Sequence, residues 1–92
     1  MNENLFRSFL ENEGITEKAI KSRISKCYKA ESILNKDLDL VVKDDKLMYD
    51  SLLTLKAFEN PEHAVLSNAV RKYYIAVNNK EFPKLEDYKK TI

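Results

Sequence analysis

Side chains able to attack, shuttle protons or hold a metal are few in this chain, and they are scattered. The single histidine, His63, has Glu62 beside it but no second histidine, cysteine or convergent carboxylate. That set cannot build a metal site, and His63 reads as a surface or rim residue. The single cysteine, Cys27, lies among apolar positions with no His or Asn pattern to activate it, so it reads as a small buried hydrophobe. Asp37, Asp39, Asp44 and Asp45 cluster, but the third ligand and the turn glycine of an EF-hand calcium loop are missing. Paired carboxylates, glycine-rich phosphate loops and Ser/His/Asp sets are absent. The expectation is a chain with no enzymatic activity of its own, no cofactor and no metal.

What the sequence does carry is segregated charge. The formal charge is only +1. Yet residues 17–36 hold six basic side chains (Lys18, Lys21, Arg23, Lys26, Lys29, Lys36) against two acids, while residues 37–60 hold six acids against three bases. If residues 17–35 are helical, at about 100° per residue, Lys18, Lys21, Ser22, Ser25, Lys29, Ser32 and Lys36 project within about 100° of one another. Ile20, Ile24 and Cys27 lie on the opposite side. Ammonium and hydroxyl groups both donate to phosphate oxygens, and each lysine that neutralises a phosphate releases a counterion. The plainer reading is the solvated face of a lysine-rich surface helix.

A second surface opens on the helix near the C-terminal end. Ser67, Asn68, Arg71, Tyr74, Ile75 and Asn78 lie opposite its apolar face. Either Phe82 and Leu85 fold back to cover Ile75, or Arg71, Tyr74, Ile75 and Asn78 form a protein-contact surface, where Arg and Tyr are enriched.

The elements that position these residues are helices. One glycine and two prolines leave too few tight turns for hairpins, and a 43% hydrophobic content is enough for a core. The first helix is expected over about Glu3 to Asn12, with an apolar stripe of Leu5, Phe6, Phe9 and Leu10 and a left-handed stop at Gly14. The second follows Thr16 as N-cap, with Ile15 and Ile20 in staple positions, and runs to about Asn35; Leu34 joins its buried face and Glu31 sits at the rim. Residues 37–42 read as an extended or single-turn connector that plugs Leu38, Leu40 and Val42 into the core. A third helix spans Asp45 to Phe58, with Leu47, Met48, Leu52, Leu53, Leu55 and Phe58 spread around it. Asn60-Pro61 starts a fourth helix that runs to about Val77, with Val65, Leu66, Ala69, Val70, Tyr73, Ala76 and Val77 inward. The domain reads as residues 1–79. Residues 80–92 read as a polar tail or linker, or as a segment packing back through Phe82 and Leu85. One cysteine fits a reducing cytoplasm, and no apolar run approaches the ~20 residues that cross a bilayer.

"LFRSFLENEGITEKAIKSRISKCYKAESIL", then "KDLDLVV", then "HAVLSNAVRKYYIAV" resembles the N-terminal SAM-like core-binding domain of tyrosine recombinases and phage integrases, over residues 3 to 79. Gly14-Ile15-Thr16 matches that family's turn and cap, Leu38-Asp39 its connector, and Ser67 to Tyr74 its fourth helix. Ala19 stands where the family has threonine and Arg23 where it has tyrosine. The catalytic domain is absent, and none of Tyr28, Tyr49, Tyr73, Tyr74 or Tyr88 has the surroundings of its nucleophile. The resemblance implies a compact four-helix orthogonal bundle, all-α, contacting DNA backbone through Lys18, Lys21, Ser22 and Arg23, with Arg71 in reach. It does not imply recombination. The expected function is therefore a domain that binds duplex DNA through Lys18, Lys21, Ser22, Arg23, Ser25, Lys29 and Arg71. It would be a standalone mobile-element protein or the front piece of a longer enzyme. The alternative is a protein-interaction module or small phage or bacterial regulator gripping a partner, or itself, through the fourth helix.

Overall fold

Each turn between helices is specified locally. In the computed structural model, which describes residues 1–92 with the side chain of Pro61 excepted, helix α1 spans Glu3–Asn12. It ends in a Schellman motif. Gly14 N–H donates to Glu11 O and Ile15 N–H to Leu10 O, with Gly14 at φ +76°. The same Ile15 then precedes Thr16, whose hydroxyl caps helix α2 (Glu17–Leu34) by accepting from Ala19 N–H. One glycine thus closes one helix and aims the next. Helix α2 ends at Asn35, which takes the left-handed conformation (φ 55°) that Asn tolerates better than most residues.

Of the extended and single-turn readings of the connector, the structure gives the helical one, lengthened to six residues. Residues Leu38–Lys43 form helix α3. Asp37 caps it by accepting from Asp39 N–H, and Glu31 reaches across from α2 to accept from Leu38 N–H. With its first turn satisfied, the segment buries Leu38, Val41 and Val42 on a helical period and leaves Leu40 62% exposed. Alternation was the wrong period. Helix α4 covers Asp45–Phe58, with Asp44 accepting from Lys46 and Leu47 N–H groups. It touches α2, α3 and α5, though Leu53 and Phe58 face solvent.

Asn60-Pro61 starts a helix, as expected, but only a 3-10 turn over Pro61–His63. The long helix α5 begins later, at Val65, and runs to Asn78. Its first turn has no cap from its own neighbourhood. The carboxylate of Glu59 supplies one from before the turn, accepting from Leu66 N–H, Ser67 N–H and the Ser67 hydroxyl. Val65, read as inward, is exposed because it lies before the helix dips into the core.

The chain is all-helical among the described residues, with six α-helices rather than four, because the connector and the tail each wind into a short one. Helix α6 spans Leu85–Lys89. Phe6, Leu10, Ile20, Cys27, Leu38, Met48, Leu52, Leu55, Val70 and Tyr73 are buried in one core. Phe82 belongs to it at 4% exposure, edge-on to Tyr74 and tilted against Tyr88, with Leu85 packed alongside. Residues 80–92 thus pack back on the bundle. The Cα radius of gyration, 12.6 Å, matches the roughly 12 Å expected of one folded unit of this length. Phe82→Ala should cost about 3 kcal/mol in urea unfolding; a loss below about 0.5 kcal/mol, the range of ordinary surface substitutions, would mean that the tail does not belong to the core.

Candidate nucleic-acid interface

The outer face of α2 owes its position to the inner one. Ile20, Ile24, Cys27 and Ala30 are buried, and the Cys27 thiol donates to Ala69 O on α5 at 3.5 Å. Burial pushes that thiol up to about 12, which leaves it protonated and inert at neutral pH. With one side pinned on α5, Lys18, Lys21, Ser22, Ser25, Lys29 and Ser32 are all exposed on the other. Between Lys18 and Ser32 the face runs roughly 21 Å along the axis.

These amines are not neutralised. Among the described residues, Lys18, Lys21 and Lys29 enter none of the ion pairs, which join Met1 to Glu31 and Asp37, Arg7 to Glu17, Lys46 to Asp50 and Lys72 to Glu13. The aspartates of residues 37–50 are engaged elsewhere. Asp37 takes the Met1 amine, which holds its carboxyl below the usual range. Asp39 accepts from the Tyr73 hydroxyl, Asp44 caps α4, Asp45 accepts from the Tyr74 hydroxyl, and Asp50 pairs with Lys46.

Other expected site residues stand apart from the stripe. Lys36 follows the left-handed Asn35 and leaves the helical register, lying in a shallow groove with Glu31 and Asp37. Arg23 is half-buried on the flank facing α5, in a cleft of about 250 Å³ lined also by Ala19, Ser22, Lys26, Val65, Asn68 and Ala69. Sequence reasoning passed over Lys26 and Asn68 as members of any site. Lys26 donates to the Ser22 hydroxyl at 2.5 Å, a contact that their i, i+4 spacing could have disclosed.

Much of the face expected on α5 is turned to internal contacts. Tyr74 is 1% exposed. Arg71 donates through Nη1 to the Phe82 and Pro83 carbonyls and lies over the Phe82 ring, so it is a clasp on the tail rather than a free phosphate ligand. Asn78 donates to Val42 O, and Ile75 is half-buried beside Phe82. Phe82 packs into the core with Leu85 and Tyr88 partly buried against it, and Ile75 lines a small cavity beside Arg71 and Phe82.

No helix is long and apolar enough to cross a membrane, and among the described residues no group of three or more His, Cys, Asp or Glu is placed to hold a metal ion. Comparison with protein-family models, curated proteins and solved structures gives no match.

Burial, then the Asp45 carboxylate, pushes the Tyr74 hydroxyl up to about 12; burial, then Asp39, raises Tyr73 as well. Both protons are held more tightly folded than unfolded. The stability they contribute is therefore full below the unfolded value of about 10 and is lost as pH climbs toward the folded values. Thermal stability should be nearly level around pH 7, begin to fall above about pH 9, where the buried Cys27 thiol ionises on unfolding, and fall steeply above about pH 10. Tyr74→Phe should lose about 1 kcal/mol near pH 7 and show a shallower alkaline fall. An alkaline limb identical to that of the unmodified chain would contradict the Tyr74 assignment.

Proposed function

We propose that this chain is a small non-enzymatic, SAM-like helical domain that binds duplex DNA through phosphate contacts made by the outer face of α2. The observation that carries the reading is the run of exposed Lys18, Lys21 and Lys29, interleaved with Ser22, Ser25 and Ser32 and free of ion pairs among the described residues. Three unpaired cations on one rigid helix face keep their full counterion-release free energy for a polyanion. The serine hydroxyls between them add hydrogen bonds that fix register. The resemblance to the core-binding domain of phage integrases supports the same surface, with Arg23 at its edge, and an intracellular setting follows from the partner.

Contacts of this kind position a protein on the backbone without reading bases, so the proposed binding is weak and largely indifferent to sequence. The rival reading, a protein-contact module acting through α5, has less support, since Arg71, Tyr74 and Asn78 are engaged in internal contacts.

Fluorescence anisotropy of a labelled duplex between about 50 and 200 mM salt should give a log–log slope of about −3, the value for three neutralised phosphates. Lys18→Glu with Lys21→Glu should remove measurable binding while leaving the melting temperature in place. Flat anisotropy at low salt, or binding unchanged in the double variant, would contradict the proposal.

A further inference from the structure

The stripe is convex, but beside it lies a concavity whose chemistry is different. The cleft between α2 and the first turns of α5, about 250 Å³, is smaller than the ~300 Å³ at which drug-sized sites begin, yet it far exceeds the ~15 Å³ that admits a single water. Its polar lining is made of donors: the Ser22 hydroxyl, the Arg23 guanidinium, the Lys26 ammonium and the Asn68 amide. Among the described residues no carboxylate lines it. Glu59, at the foot of α5, is already held by Leu66 and Ser67. Arg23 Nε is buried without any hydrogen-bonding partner. A buried, unsatisfied donor on a charged group is costly, and the cost is removed when the Arg23 side chain turns Nε toward an anion in the cleft.

Lys26 sharpens the arrangement. By donating to Ser22 Oγ it fixes the hydroxyl as an acceptor on one side, which leaves the Ser22 proton to donate on the other. Ala19, Val65 and Ala69 supply small or apolar walls, which lower the local dielectric around the charges. Two cations, a hydroxyl and an amide drawn from two helices suit an anion with several oxygens pointing in different directions. A planar carboxylate would leave some of these donors unmet.

We propose that this cleft is an oxyanion site for a tetrahedral phosphate group, held by Arg23, Lys26, Ser22 and Asn68. The inference goes beyond the backbone contacts of the α2 stripe and does not depend on them, because inorganic phosphate alone would occupy the cleft. The phosphate has two possible sources, a nucleic-acid backbone running along α2 or a free phosphate ion, and the chemistry of capture is the same for both.

The test uses the full chain labelled with ¹⁵N, titrated with sodium phosphate against sodium chloride at matched ionic strength. The Arg23 Nε–Hε and Asn68 side-chain amide cross-peaks should shift saturably with phosphate. Arg23→Gln should weaken the affinity about tenfold or more, as expected for loss of a charge-assisted hydrogen bond. Lys26→Gln provides a second reading should Arg23→Gln fail to fold. Lys18→Gln with Lys21→Gln should leave phosphate affinity unchanged. Shifts that do not saturate, that are matched by acetate, or that persist undiminished in both cleft variants would overturn the proposal. A duplex arm separates the sources: a backbone phosphate moves the same Arg23 cross-peak, and a free ion is bound without being displaced by duplex. Phosphate binding without duplex binding leaves this site standing while the stripe proposal falls. Duplex binding with a silent cleft does the reverse.

Discussion

The packing of α2 on α5 is the constraint on which the rest depends. Ile20, Ile24, Cys27 and Ala30 bury one side of an 18-residue helix, and Cys27 ties it to Ala69 on α5. A helix so pinned cannot rotate. A turn of a third of its circumference would drag Lys21 or Lys29 into an apolar core at a cost of several kcal/mol and expose the isoleucines. The lysine stripe and the donor-lined cleft are consequences of that one burial. The same 100° step that puts Ile24 inside puts Ser25 outside.

The second condition is that the acids be occupied elsewhere. A chain of net charge +1 shows a positive face only if its carboxylates are tied to other tasks. Here they cap α3, α4 and α5, receive the Tyr73 and Tyr74 hydroxyls, and pair with Met1, Arg7, Lys46 and Lys72. Several act as structural acceptors at helix N-termini, where negative charge is favourable in any case. Arg71 plays the converse part, giving its guanidinium to the tail carbonyls. Burial lowers its proton affinity from the ordinary value, and its role is internal.

Local chemistry explains what the sequence disclosed. Gly14 and Thr16 announce their helix boundaries because caps and left-handed stops need particular side chains at particular positions. Helices α1 and α4 were accordingly legible at both ends and α2 to within one residue, and so was the outward face of α2. Helix α3 was not, because its N-terminal donor is satisfied by Glu31, seven residues earlier and in another helix. The late start of α5 was hidden in the same way by Glu59. Phe82 and Leu85 could be named as packing back, but the ring contacts of Phe82 with Tyr74 and of Tyr88 with Tyr49 join residues far apart in sequence. The cleft was illegible for the same reason: it joins Arg23 and Lys26 to Asn68 across two helices. One-dimensional spacing records only neighbours on the same element.

Backbone amide mapping of the ¹⁵N-labelled chain with a short duplex addresses the central assignment most directly. Perturbed amides should concentrate on Lys18, Lys21, Ser22, Ser25 and Lys29, with α4 and α6 silent. Perturbations centred on α4 or α6, or none at all under low salt, would contradict it.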